Sequence, residues 1–271
     1  MFTRPEQNYA IEDAVIEGIL RDDAQPLCQI AKMLPDGVTV LDIGAGSGIL
    51  GRVLKRAGKH VTLDGIEPNA FAVELARPFY RAIYTGYAQD HLQTIRTTAY
   101  DYVVLADVIE HIPDPAAFLA ELLGSLPEPT KLLVSIPNIA FGGVRLALMN
   151  GVFDYVDSGL LERTHLRFFT LAIAQKLFDF LHLSSERILS LERSFYRAEF
   201  ERKNLKASPF QIWNLANKSD ARAYQYLFVL TRSPSRTTVI EHHGATAMRI
   251  LLDALVARPA VKRVIRFLCG H

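Results

Sequence analysis

The chain has 271 residues, 49% hydrophobic and 22% charged, and its 30 Lys and Arg offset 29 Asp and Glu to a formal net charge of +1. That balance excludes a disordered tail protein and a globally basic nucleic-acid coat, and the length suits one large α/β domain with additions or two small ones. Two cysteines, Cys28 and Cys269, lie too far apart in sequence for a disulfide framework or a metal-ligand motif, which points to a reducing, cytoplasmic setting.

The opening residues Met1 to Gln7 carry no apolar signal run, and no later stretch approaches the roughly 20 apolar residues of a membrane span. Ile11, Val15, Ile16, Ile19 and Leu20 recur at helical spacing and predict an amphipathic first helix. Val38 to Ile43 reads as a buried strand stopped by Gly44, Gly46 and Gly48, and Ile49 to Lys55 as the helix after the turn. Further strands are expected at His60–Ile66, Tyr100–Leu105, Lys131–Ile136, Glu186–Leu191 and Tyr224–Thr231, with a weaker one at Arg81–Thr85. Helical patterns at Ala70–Ala76, Ala116–Leu123 and Leu171–Leu181 fill the gaps, so the fold is α/β, a Rossmann-like three-layer sandwich around a mostly parallel sheet.

Residues 137–169 and 194–223 are too long for ordinary connections and read as lids at the carboxyl edge of the sheet. Beyond Ser233-Pro234-Ser235 the strand pattern stops, which divides the chain into a domain at 1–235 and a tail at 236–271. The tail carries net charge +4 against −3 for the rest. Within it Val261, Val264, Ile265 and Leu268 oppose Lys262, Arg263 and Arg266, a short basic amphipathic helix suited to docking on its own domain or a second subunit, with peripheral contact to an anionic membrane as the alternative.

Gly44-Ala45-Gly46-Ser47-Gly48 lets backbone approach a ligand and presents helix N-terminal amides to it. Asp42, just before the turn, would repel the pyrophosphate of a dinucleotide but suits the ammonium and sulfonium of S-adenosyl-L-methionine; its other reading is a cap on the turn. The spacing also departs from the dinucleotide fingerprint, whose third glycine would fall at Ile49. Glu67, at the end of the second strand, can accept hydrogen bonds from both hydroxyls of an adenosine ribose. At the end of the fourth strand Asp107, Glu110 and His111 bring carboxylates and an imidazole to the edge where open α/β sheets bind ligands, and His111 is a candidate base for a hydroxyl acceptor. The alternative is that Glu110 and His111 only support the cofactor's methionine end. In the first lid, Arg163 and Arg167 could hold a carboxylate or phosphate of the acceptor, or form ion pairs with Glu162 and Asp157.

Val40 to Gly48, then Ile66-Glu67-Pro68, then Leu105 to Pro115, resemble the successive motifs of class I S-adenosylmethionine-dependent methyltransferases, over about Leu34 to Thr231. The resemblance implies a seven-stranded sheet in order 3-2-1-4-5-7-6 with only the seventh strand antiparallel. It implies a cofactor site of Asp42, Gly44, Ala45, Gly46, Gly48, Glu67, Pro68, Ala88, Asp90, Asp107 and Val108. Tyr87 stands where the family usually has an acid for the adenine, so Asp90 or Gln89 inherits that contact. With Ser135-Ile136-Pro137-Asn138 before it, the lid is similar to a bacterial subgroup associated with cell-envelope polysaccharide synthesis, which implies a small-molecule or glycan acceptor contacted by Asn138, Arg163 and Arg167. Asp107, Glu110, His111 and a distal His165 are also similar to the metal-holding set of small-RNA 2′-O-methyltransferases, so a divalent ion on these four is weighed beside metal-free catalysis by His111, His165 and Glu110. The expected activity is O-methylation of a sugar hydroxyl or related small molecule. Its alternatives are a quinone or phenol O-methyltransferase and a non-catalytic cofactor-binding partner; nucleic acid is disfavoured as acceptor by the charge of the body.

Overall fold

A strand that is apolar on both sides has to be covered on both faces. The computed structural model, which describes residues 13–232 and 238–256, does this with helices on each side of a single sheet. Helices α1 (Asp13–Arg21) and α2 (Pro26–Met33) lead into β1 (Thr39–Ile43), α3 (Ile49–Arg56), β2 (Thr62–Glu67), α4 (Ala70–Ala76) and β3 (Ala82–Thr85). Next come α5 (Leu92–Thr97), β4 (Tyr102–Ala106), α6 (Pro115–Ser125), β5 (Lys131–Pro137) and α7 (Gly142–Met149). The chain closes through α8 (Leu171–Phe180), β6 (Ser184–Glu192), α9 (Pro209–Ala216), α10 (Ser219–Arg222), β7 (Ala223–Thr231), β8 (Val239–Gly244) and α11 (Ala247–Val256).

The strand order is 3-2-1-4-5-7-6-8, with β7 antiparallel to both β5 and β6 and the other pairings parallel. The expected seven-stranded order is therefore present with one strand added at the edge. Alternation along each strand feeds two cores. Leu41, Leu105, Val134 and Phe228 pack with Leu119, Leu122 and Phe178 of α6 and α8, whereas Val40, Val104, Leu133 and Leu227 pack with Ile16, Ile30 and Val53 of α1, α2 and α3. Asp114 and Thr170 accept hydrogen bonds from Ala117 N and Ile173 N and so cap α6 and α8, as the expected start of α8 requires.

A third core sits above the carboxyl edge. Phe141, Val144 and Leu160 from residues 137–169 pack with Phe195, Leu205 and Ile212 from residues 194–223, and Ile250 and Ala254 of α11 join them. The two interruptions of the sheet pattern are thus one packed unit.

The sheet does not stop at Thr231. β8 continues it beside β6, and α11 lies against α9, so residues 239–256, expected as tail, belong to the folded body. Val239-Ile240-Glu241-His242-His243-Gly244 hides from pattern reading because an edge strand is partly solvated and carries polar side chains on both faces. The amphipathic pattern at 261–268 lies outside the described residues. Among the described residues, no helix is long and apolar enough to cross a membrane.

Candidate active site

The glycine turn after β1 is closed by main-chain bonds to the next strand: Gly44 N and Ala45 N donate to Ile66 O at 2.9 and 3.1 Å. Gly44 has φ +75°, and a Cβ there would meet Val108 Cγ2 at 2.8 Å, so this position needs glycine both for its conformation and for the close pass of the β4 turn. Glu67 finishes the closure. Its Oε2 accepts from Gly46 N and its Oε1 from Asn69 N, both at 2.9 Å, and each oxygen retains lone-pair capacity toward the cavity that Glu67 lines.

Asp42 sits one layer below. It is 3% exposed, its Oδ2 accepts from the Tyr80 hydroxyl at 2.6 Å, and it is not among the described residues that line the cavity. Burial, aided by the nearby Glu67, pushes its carboxyl up to about 7 against the opposing Tyr80 bond. The carboxylate expected to face the ligand instead supports the turn from beneath, close to the cap considered from sequence.

At the end of β4 the backbone of Asp107 takes φ +55°, the left-handed region uncommon for a non-glycine residue. Three contacts hold it there: Ser135 Oγ donates to Oδ1 at 2.7 Å and accepts from Asp107 N at 3.0 Å, while Gln225 Nε2 reaches Oδ2 at 2.9 Å. Its pKa is raised by burial, with the Ser135 and Gln225 bonds opposing.

The next turn carries the imidazoles. His111 Nδ1 lies 3.1 Å from Thr164 O and His165 Nδ1 lies 3.1 Å from Leu160 O. A carbonyl only accepts, so Nδ1 of each ring donates, and in the neutral tautomer this selects, Nε2 carries the lone pair. The rings meet edge to face at 4.8 Å, and His165 Nε2 is 4.0 Å from Glu110 Oε1. Burial lowers the pKa of His165 and keeps it neutral. Glu110 is 1% exposed, and neither carboxylate oxygen has a hydrogen-bond partner among the described residues. Burial, followed by repulsion from Asp107, pushes its pKa well above the usual carboxylate range. Its carbonyl, by contrast, accepts from Leu166 N at 2.8 Å and Arg167 N at 3.0 Å, tying the lid to the β4 turn.

These groups share one cavity of about 1380 Å³. Of the residues singled out in sequence, Gly44, Glu67, Pro68, Ala88, Asp90, Asp107, Val108, Glu110, His111 and His165 line it. Asp42, Ala45, Gly46, Gly48, Asn138, Arg163 and Arg167 do not, and three of these correct the expected acceptor contacts. The Asn138 amide donates to Asp220 O at 2.7 Å and Ala223 O at 2.8 Å, which uses both of its protons. Arg163 pairs with Asp157 at 3.2 Å, and Arg167 donates to Pro113 O at 2.8 Å, so both guanidinium groups brace the lid rather than face the cavity. The fourfold ligand set also contracts. Ligand atoms of Glu110, His111 and His165 lie within 4.8 Å of one another, while Asp107 is engaged by Ser135 and Gln225.

Several lining residues escaped sequence reading. Gln25, Pro26 and Leu27 come from the N-terminal segment, and Arg193, Tyr224 and Gln225 from the ends of β6 and β7. The sole signal for Gln225 was an amide at the start of an otherwise apolar run, and Arg193 looked like any charged residue after a strand.

A parallel-dominated sheet with a glycine turn after β1, an acidic clamp after β2 and a polar cluster after β4 has the architecture of S-adenosylmethionine-dependent methyltransferases. The family model for the methyltransferase domain matches residues 19–180, and the chain belongs to that family. It is 31% identical over 140 residues to a ubiquinone biosynthesis O-methyltransferase of Xylella fastidiosa (strain 9a5c), a match covering 50% of this chain and 56% of that one. A protein of the same description from Xanthomonas axonopodis pv. citri (strain 306) is 26% identical over 138 residues, covering 50% and 57%. The chain thus spans little more than half the length of these curated relatives. Among solved structures, a SAM-dependent methyltransferase from Archaeoglobus fulgidus superposes with TM-score 0.55 at 16% identity, covering 81% of this chain and 94% of that one. Magnesium protoporphyrin IX methyltransferase from Synechocystis PCC 6803, with bound SAH, superposes with TM-score 0.52 at 16% identity, covering 83% and 90%. At such identities the superpositions speak for the fold.

Proposed function

We propose that this protein is an S-adenosylmethionine-dependent O-methyltransferase acting on a hydroxyl of a small molecule. The observation that carries the reading is the placement of two imidazoles with free Nε2 lone pairs in the same cavity as the Glu67 clamp. The cofactor supplies a methyl group on a sulfonium, activated toward in-line displacement. Glu67 suits its ribose: both carboxylate oxygens are already oriented by backbone amides and can accept two further bonds from the diol. Gly44 and Val108, packed against each other, line the cavity beside Glu67, which suits the methionine portion to this end of the turn. His111 Nε2 takes the proton that the acceptor hydroxyl loses as its oxygen bonds to carbon, and the Thr164 carbonyl holds the tautomer this requires. Alignment of acceptor and methyl in the cavity supplies the larger share of the acceleration, up to ~7–11 kcal/mol.

The names of the relatives favour a phenolic or quinol hydroxyl, and the similarity of the lid to an envelope-polysaccharide subgroup favours a sugar hydroxyl. Transfer of labelled methyl from S-adenosylmethionine to catechols and to hexoses, scored side by side, distinguishes them. Incorporation into one class that falls at least ~100-fold in His111→Gln supports the reading. No binding of S-adenosylhomocysteine by calorimetry overturns it.

A second reading is favoured by one specific observation, the two unpartnered oxygens of Glu110 in a cluster whose ligand atoms, one each from Glu110, His111 and His165, lie within 4.8 Å of one another. Glu110, His111 and His165 would hold a divalent ion, which would act as a Lewis acid on the acceptor hydroxyl; the Thr164 and Leu160 carbonyls would orient both ligand rings. The base and metal readings compete for the same lone pairs. Titration with Co(II), read by its visible absorption, separates them: a stoichiometric signal lost in His165→Ala supports the ion, and none leaves the base.

A further inference from the structure

The described lining of the cavity contains the carboxyl groups of Glu67, Asp90, Asp107, Glu110 and Glu162 and a single guanidinium, that of Arg193. Arg193 directly follows β6, which is separated from β4 by β7 and β5. At ~4.8 Å per strand the two strands are about 14 Å apart, so Arg193 belongs to the wall remote from the cofactor clamp. Among the described residues its side chain has no ion pair and no hydrogen bond. Its one recorded partner is the ring of Tyr224, over which its guanidinium carbon lies at 4.6 Å.

That stack orients the cation without consuming its donors. A cation–π contact occupies the guanidinium's face with the ring and leaves its N–H donors for hydrogen-bond acceptors. The platform itself is fixed: the Tyr224 hydroxyl donates to Glu199 Oε2 at 3.0 Å, and Glu199 Oε1 accepts from Leu160 N at 2.7 Å. Leu160 is also the residue whose carbonyl holds His165, so the stack and the histidine pair hang on one stretch of the lid. A half-buried cation with unused donors, the one guanidinium among the described lining residues, is built to meet an anion that enters with a ligand.

We infer that Arg193 binds an anionic group, a carboxylate or phosphate, at the end of the acceptor remote from the hydroxyl that is methylated. The inference rests on the methyl-transfer reading for the word acceptor, but the anion site stands or falls on binding alone. With S-adenosylhomocysteine present, calorimetry is run on two matched pairs, catechol against 3,4-dihydroxybenzoate and glucose against glucose 6-phosphate. The anionic member of at least one pair is expected to bind about tenfold tighter than its neutral partner, and Arg193→Gln to abolish that margin while Arg193→Lys keeps part of it. Affinity for S-adenosylhomocysteine and thermal stability, measured on each variant, should stay within twofold and a few degrees of the parent. Equal binding of neutral and anionic members in the parent, or a margin that survives in Arg193→Gln, overturns the site. Failure to bind S-adenosylhomocysteine alongside an intact anion margin would count against the methyl-transfer reading and not against this one.

Discussion

At the scale of single residues, the site depends on groups whose hydrogen bonds are settled before any ligand arrives. Glu67 joins the glycine turn to the end of β2, so Glu67→Ala removes both the proposed ribose acceptor and the partner of two backbone amides. Two charge-assisted bonds of ~1.5–3 kcal/mol each predict at least a hundredfold weaker binding of S-adenosylhomocysteine, measurable by calorimetry. Asp42 should contribute a pH-dependent term to stability. The folded protein holds its proton up to about pH 7, whereas an unfolded aspartate releases it near ~3.9, so the contribution is complete below about pH 4 and declines as the pH rises to 7. Asp42→Asn, which still offers Tyr80 an acceptor, should flatten that decline. Urea unfolding at pH 5 and 7.5 checks it, and equal changes in the two proteins would refute the assignment.

At the scale of elements, β8 is an edge strand fastened by a few polar contacts. Arg187 reaches Glu241 at 2.7 Å, and buried Glu192 accepts from both Arg222 at 3.0 Å and His242 at 2.8 Å. The strand ends at Gly244, where φ is +117° and a Cβ would stand 2.1 Å from Glu192 O. Gly244→Ala therefore clashes with backbone that cannot yield cheaply and should cost more than ~2 kcal/mol, with amide exchange in 239–244 accelerated ahead of the central strands. Exchange that rises uniformly over the sheet would show that β8 is no separate unit.

At the scale of the whole molecule, the two long insertions and α11 form a single lobe over the carboxyl edge, and Phe195 is its hinge pin. The ring is fully buried, meets Phe141 edge to face at 5.5 Å, and occupies the space that a Cβ on Gly142 would enter. Phe195→Ala should cost ~3–5 kcal/mol and loosen the wall that bears Arg193 and Tyr224. Acceptor turnover should then fall while binding of S-adenosylhomocysteine, proposed for the half of the cavity at Glu67, stays within a few-fold; parallel loss of both would contradict a divided cavity.

The buried strands, the helices between them and the glycine turn were legible in local chemistry, whereas the order of the sheet followed from the resemblance of the successive motifs. Apolar runs force two-sided burial, Gly44 answers a φ that other residues resist, and a carboxylate at a strand end falls at the ligand edge wherever that strand lies. The direction of a side chain is not written that way. Asp42 reads as a ligand contact but turns beneath the loop to Tyr80, and Arg163 and Arg167 read as anion binders but brace the lid, while Arg193 acquires its place from the stack on Tyr224. The reduction of four ligand candidates to Glu110, His111 and His165, and the union of two distant insertions in one lobe, depend on contacts between residues tens of positions apart. Local sequence determines which groups are available and which strands bury them; only long-range packing decides which of those groups are already satisfied and which are left to meet a ligand.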